Sequence, residues 1–385
     1  MVTPFRGDVA PGWGCVGDLF RSLLDEGRDV GAGLCVFHHG HRVVDLTGGW
    51  RDVDRTVPYD EDTLQVLFST SKGVVALAVA LCVRRGLLGY DEPVATLWPE
   101  FADAGKESIT VGELLSHQAG LYCLDAPAEL AEALDWDAMT RRLAASTRQA
   151  TSGHGYHALT WGWLAGELVR RVDGRDIATF VAEELATPVA GECWFGLPER
   201  FESRVAPVNT GWEKRPESSN VGGSADTLLS RVLTVNGALA AKGGFNRRDV
   251  RAAAIPAANG VSNARTIAAM YSASFVETHT DAGVVRLLDD DALRRATKRV
   301  TPRGERDDVL RLETSFSMGF MTPSVIVPFT GVSSYGHPGA GGSLGFADPS
   351  CGVAFAYVMN RMGDVLIGDD RAASLTEAVY SIASQ

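Results

Sequence analysis

The sequence predicts an α/β (α+β) protein: an antiparallel sheet flanked by helices, built from both ends of the chain around an inserted, mostly helical stretch. Three observations predict it. Apolar runs of strand character lie near the start, at 33–37 and 42–46, another lies near the end, at 352–360, and helical spacing dominates from about 76 to 300. The first two runs flank His38-His39-Gly40-His41 and read as a hairpin. A continuous apolar run at 73–81 reads as a buried helix, because no polar face interrupts it. Helical patterns follow at 111–116, 126–146, 160–172, 177–185 and 265–275, with a closing helix at 372–383. The segment 207–260 is rich in Gly, Ser, Asn and Ala and reads as long loops. Residues 345–352 read as a turn before the last strand.

The 385 residues suffice for a large core or two lobes. With 45% hydrophobic and 22% charged residues, the composition is that of a soluble globular protein. A net charge of −12 argues against a nucleic-acid partner and against attraction to anionic membranes. No apolar run of membrane-spanning length occurs, and Met1 to Asp8 lacks the pattern of a secretion signal, so a cytoplasmic location is expected. The six cysteines, at 15, 35, 82, 123, 193 and 351, show no Cys-x-x-Cys spacing and suit reduced structural thiols better than a disulfide or zinc framework.

Chemistry concentrates at Ser69-Thr70-Ser71-Lys72. On a helix, positions i and i+3 share a face, so the Lys72 amine can reach the Ser69 hydroxyl and take its proton. The free amides at the start of the following helix point toward Ser69 and suit a developing oxyanion. A rival nucleophile stands at Gly341-Gly342-Ser343-Leu344-Gly345, which matches Gly-x-Ser-x-Gly. That elbow needs a histidine later in the chain and a helix after the serine. The last histidine is His337, and no helix follows, so Ser343 is read as a strand-and-turn residue.

Three further segments add context in the order Ile109 to Leu121, Gly155-Tyr156-His157-Ala158, and Tyr335-Gly336-His337-Pro338-Gly339-Ala340. With these, the chain resembles the serine β-lactamase/penicillin-binding-protein superfamily, in its class C-like branch of family VIII carboxylesterases and related acyltransferases. The likeness runs from about residue 33 to 360. It implies a serine β-lactamase-like fold with a discontinuous lobe of residues 1–75 and 300–385, an inserted helical lobe of 76–299, and an active site in the cleft between them, under the 207–260 loops. It also implies Ser69 as acylated nucleophile, Lys72 as proton acceptor and Tyr156 as the relay to the leaving group, with the backbone N–H groups of Ser69 and Ala340 as the oxyanion hole. A lysine ammonium beside Tyr156 is expected to favour its phenolate. His337 and Gly339 then border the substrate. Ala158 stands where many relatives have asparagine and offers no side-chain hydrogen bond. His337 replaces a common lysine, so penicillinase activity is not expected.

The resulting expectation is a serine hydrolase acting on esters of small or medium acyl groups. Acyl transfer to an alcohol or amine of a metabolite is the alternative, and a D-alanyl peptidase, a β-lactamase and a non-catalytic binding protein rank lower. No cofactor and no metal are expected. His38, His39 and His41 cannot converge from a tight hairpin, and Asp289-Asp290-Asp291 lacks the alternation of a calcium loop. Tyr122, Trp161, Trp163 and Trp212 are candidates to line an acyl or alcohol pocket, with Tyr122 and Trp212 ahead of Trp163 because aromatics near a helix are more often core. His117 and His157 read as packing or orienting residues. The partner is a small-molecule ester or acyl donor, and the sequence carries no reading of oligomeric state.

Overall fold

The computed structural model describes residues 2–151, 153–209, 227–327, 329 and 331–384; Trp212 and most of the first part of the 207–260 segment lie outside the described residues. A six-stranded antiparallel sheet runs in the order Phe5–Val9, His41–Gly49, Gly31–His38, Val353–Met359, Leu344–Asp348, Tyr335–Pro338. Strands from the two chain ends meet at its centre, where Leu34 pairs with Tyr357 and Val36 with Phe355. The expected hairpin forms with His39 and Gly40 as a two-residue turn, both at positive φ of 47° and 78°, as a type I′ turn requires. Its histidines do not gather at one point: His38 packs on Trp13 and on the neighbouring His39 ring, 4.2 Å away, whereas His41 stacks on His279.

The sheet is covered on both faces, which explains why the run 353–359 is apolar throughout rather than alternating. Leu34, Val36, Phe355 and Tyr357 face the helices Gly14–Asp25 and Asp370–Ala383. Cys35, Phe37, Ala354 and Ala356 face the helices Ala264–Ala273 and Thr70–Arg84. Helix Gly14–Asp25, not anticipated above, buries Val16, Phe20, Leu23 and Leu24 at helical spacing.

Two expectations change. Leu344–Asp348 is an inner strand, and the turn is confined to the four residues before Val353, because Gly345 and Phe346 pair on both sides, with His337 and Gly336 and with Ala356 and Phe355. Among the described residues of 227–260, short helices at Leu228–Thr234 and Arg248–Ala252 replace the expected long loops. The side chain of Thr227 accepts from Ser230 N–H, and that local cap outweighs the loop-like composition.

Helix Thr70–Arg84 lies at the centre, with every residue from Thr70 to Val83 buried. It packs on the helix Thr160–Asp173 and on the strand that carries His337. Gly73 makes this approach possible, since a Cβ there would sit 1.9 Å from the Tyr271 hydroxyl oxygen. In an open helix Gly→Ala gains about 0.5–1 kcal/mol. Here Gly73→Ala is expected to reverse that sign and cost about 1–3 kcal/mol from overpacking, read as a lowered midpoint in chemical denaturation.

Candidate active site

The chain enters the buried helix through a strained turn. Phe68 adopts φ 49°, a left-handed conformation that costs a non-glycine residue about 1–3 kcal/mol. The turn is held by hydrogen bonds from Leu67 N to Gly260 O at 2.8 Å and from Ser71 N to Phe68 O at 3.0 Å. Ser69 occupies the N-cap position, yet its side chain makes no capping bond. Its hydroxyl is therefore free for other partners. From residue 63 to 83, Ser69 alone is partly exposed.

Two partners converge on it. Lys72 Nζ lies 3.2 Å from Ser69 Oγ, and the Tyr156 hydroxyl donates to Ser69 Oγ at 3.0 Å. Lys72 is fully buried, and its other contacts are the backbone carbonyls of Ala158, at 2.6 Å, and Ala257, at 3.0 Å. Burial, uncompensated by any carboxylate among the described residues, holds its pKa well below the usual lysine value. A neutral amine has two N–H donors and one lone pair. With the two carbonyls taking the donors, the lone pair faces the Ser69 hydroxyl, and the chain Tyr156 O–H to Ser69 Oγ–H to Lys72 Nζ closes.

This corrects the expected phenolate. Burial raises the Tyr156 pKa above its ordinary value, and an uncharged amine gives a phenolate nothing to lean on. Tyr156 thus holds its proton in the resting site.

The loop bearing Tyr156 rests on a histidine pair. Helix Val111–Leu115 starts at a reciprocal cap between Thr110 and Glu113, and the chain then turns through His117 at φ 65°. His117 Nδ1 accepts from His157 N–H at 3.0 Å, and His157 Nε2 accepts from Leu121 N–H at 2.9 Å. Burial lowers both pKa values, that of His157 to about 3. Both act as neutral supports for the loop. A residue that the motif reading missed, Asp307, accepts the Tyr156 backbone N–H at 3.1 Å. No pattern near Asp307 signals this, because its partner lies 151 positions away.

On the opposite side, the strand Tyr335–Pro338 brings His337 beside Tyr156, with ring centroids 6.1 Å apart. His337 is buried, its Nδ1–H donates to Pro338 O at 2.7 Å, and burial lowers its pKa to about 3. It is neutral and offers no positive charge to a substrate carboxylate. Gly339 packs against the turn before Ser69: a Cβ there would lie 2.1 Å from Ser343 Oγ and 2.5 Å from Leu67 O. Ser343 is buried and its hydroxyl donates to Leu67 O at 2.7 Å, a structural tie. Ala340 follows, half-buried, and Arg371 pins the turn by donating to Gly341 O at 2.6 Å. Among the described residues, neither the Ser69 nor the Ala340 N–H is engaged by a backbone carbonyl.

Not every pocket candidate lies in the open. The Tyr122 hydroxyl donates to Ala150 O at 3.2 Å, and its ring lies beneath Gly155, so Tyr122 supports the Tyr156 loop rather than lining a pocket. Ala158 is buried and contributes its carbonyl to Lys72 instead of bordering a substrate. Trp161 and Trp163 are core. A cleft of about 840 Å³ is walled by Phe68, the residue before Ser69, and by Val208, Lys242, Phe245, Asn246 and Met362; Ser69, Lys72 and Tyr156 are not among its lining residues.

Residues 16–379 match the Beta-lactamase family. The chain is 34% identical over 382 residues to the esterase/beta-lactamase LipL of Mycobacterium tuberculosis, covering 95% of this chain and 85% of LipL. Among solved structures it is similar to a penicillin-binding protein homolog from Caulobacter crescentus, with 37% identity, TM-score 0.88, and coverage of 98% of this chain and 100% of that one. A family VIII carboxylesterase superimposes at TM-score 0.87 with 33% identity and the same coverage.

Burial of Lys72 predicts a pH-dependent stability. Between its lowered folded pKa and its unfolded value of about 10.4, the unfolded chain binds the extra proton, so stability rises with pH. The unfolding free energy of wild type relative to Lys72→Met should climb toward pH 10 by at most about 1.4 kcal/mol per unit. A pH-independent difference in denaturation would show that Lys72 is charged in the fold.

Proposed function

The chain belongs to the beta-lactamase family, and from that premise we propose that it is a serine carboxylesterase that forms an acyl-enzyme at Ser69. The observation that carries the reading is the convergence of Lys72 Nζ and the Tyr156 hydroxyl on Ser69 Oγ at 3.2 and 3.0 Å. The esterase naming of LipL and the carboxylesterase structure support the same reaction class. The substrates are small-molecule esters of small or medium acyl groups, which the cleft beside Phe68 is large enough to hold. A reducing, cytoplasmic location belongs to the same proposal, supported by six unpaired cysteines. No helix among the described residues is long and apolar enough to cross a membrane.

The steps follow from the protonation states. Neutral Lys72 takes the Ser69 proton as Oγ attacks the ester carbonyl, and the N–H groups of Ser69 and Ala340 stabilise the oxyanion. Tyr156 gives its proton to the departing alcohol oxygen and recovers one from the Lys72 ammonium. The products of this half-reaction are a free alcohol and a Ser69 ester. Water then attacks the ester, and the Tyr156/Lys72 pair takes its proton and returns it to Ser69. A β-lactam is a poor fit, because neutral His337 offers no charge to its carboxylate and Ala158 no amide to its side chain.

Intact-protein mass spectrometry with p-nitrophenyl esters is expected to show one acyl adduct, on Ser69. Ser69→Ala should remove both adduct and turnover, whereas Ser343→Ala should keep them; an adduct surviving in Ser69→Ala would sink the proposal. Release of the adduct faster by added alcohol than by water would reassign the protein to acyl transfer.

The pH profile is a second test. Turnover needs uncharged Lys72, so kcat/KM should fall as pH drops through the Lys72 pKa, well below the ordinary lysine range. His337 and His157, both with pKa about 3, stay neutral near pH 7. The midpoint of the acid limb should therefore stay in place in His337→Gln, and a limb that disappears there would transfer the base role to His337.

A further inference from the structure

Asp307 lies outside every motif considered above, yet its carboxylate holds the backbone of the proton donor. Its Oδ1 accepts three N–H groups, from Tyr156 at 3.1 Å and from Val309 and Leu310 at 2.8 Å each. Its Oδ2 accepts from Thr314 Oγ1 at 3.4 Å, and His154 Nε2 stands 3.9 Å away. The His154 ring is fixed in turn by a 2.7 Å contact between Nε2 and Thr314 Oγ1. Asp307, His154 and Thr314 are all fully buried. The Val309 and Leu310 bonds are local and would hold a turn wherever it sat. The Tyr156 bond is different, since it joins two distant segments.

The same two segments meet a second time at the ring. Phe316 lies parallel to Tyr156, with an interplanar angle of 9° and centroids 6.2 Å apart, and Asp308 N donates to His154 O at 3.0 Å. Tyr156 is thus clamped at its amide and along its ring, with its hydroxyl left to meet Ser69. Proton delivery depends on that placement, because a misplacement of about 1 Å can cost 10²-fold in rate. We infer that Asp307 is a positioning residue for Tyr156: by holding the Tyr156 amide from the 305–316 segment, it sets the hydroxyl at the distance from which a proton passes to the leaving alcohol. The inference rests on the proposed role of Tyr156 as that donor.

Leaving-group selectivity tests it. Ethoxide needs a proton to depart and p-nitrophenoxide does not, so the quantity to measure is the kcat/KM ratio of ethyl butyrate to p-nitrophenyl butyrate. Tyr156→Phe should lower this ratio by about 10²-fold, the usual worth of a general acid. Asp307→Ser keeps a short oxygen for the local turn and loses the reach to Tyr156; it should lower the ratio by about tenfold or more, with kcat affected more than KM. Asp307→Asn retains an acceptor oxygen in place and should restore the ratio to within about threefold of wild type. Asp307→Ser combined with Tyr156→Phe should show the ratio of Tyr156→Phe alone. If the ratio falls in Tyr156→Phe but stays at the wild-type value in Asp307→Ser, the inference is wrong and the catalytic reading stands. An unchanged ratio in Tyr156→Phe overturns the donor role itself, and the inference with it. Failure of Asp307→Ser to fold, with Asp307→Asn folded, would overturn the inference in favour of a purely structural role.

Discussion

An amine buried with no carboxylate beside it among the described residues is the constraint on which the rest of this site depends. Lys72 sits in a helix with no exposed residue from Thr70 to Val83; its amine meets two backbone carbonyls and Ser69 Oγ and lies 4.9 Å from the centroid of the Tyr156 ring. In water an amine of this kind is protonated and useless as a base at neutral pH. Removing it from water without supplying an anion is the direct way to keep its lone pair available. The same dryness keeps Tyr156 protonated and His337 and His157 uncharged. One environmental cause, burial, thus shifts the pKa of four groups, leaving an amine and a phenol on either side of a single hydroxyl.

Such a site is stable only because the surrounding scaffold is over-determined. The turn before Ser69 carries a left-handed Phe68, and Gly339 and Ser343 pack directly on it. Behind them, Arg371 ties the 340–342 turn to the closing helix. Its guanidinium bonds to Asp369, to Asp29 at 2.7 Å and to Gly341 O, and Tyr357 donates to Asp29 at 2.6 Å. A buried charge with paired anions is costly to break on one side, which gives the turn bearing Ala340 a rigid backing. The sheet supplies the platform, since its two central strands come from opposite chain ends and pair with each other from Ala32↔Met359 to His38↔Val353.

Much of the fold was legible before any coordinates. Capped or strongly apolar helices such as 160–173 and 264–273 appeared where spacing placed them, and the hairpin turned at His39-Gly40. The errors have a common origin. The strand Leu344–Asp348 sits in a glycine-rich stretch, and its identity comes from pairing on both sides rather than from β-propensity. The short helix Leu228–Thr234 rests on a local cap from Thr227 hidden in loop-like composition. Tyr122 and Ala158 were assigned to a pocket because of their place in the chain, whereas packing turned one beneath a loop and used only the carbonyl of the other.

By itself the sequence singled out Ser69, Lys72 and Tyr156 as a set, and the structure brings the three together. The three-residue spacing of Ser69 and Lys72 is a property of any helix, and the apolar run after them already required that helix to be buried. Tertiary structure decided what those groups are at working pH and what holds them. Whether Lys72 is an ammonium or an amine depends on how many oxygens from distant segments surround it, and residues 158 and 257 are brought there only by folding. The link from Asp307 to Tyr156 likewise spans 151 positions. Charge state and long-range hydrogen bonding are collective results of exclusion from water, and no local stretch of residues encodes them.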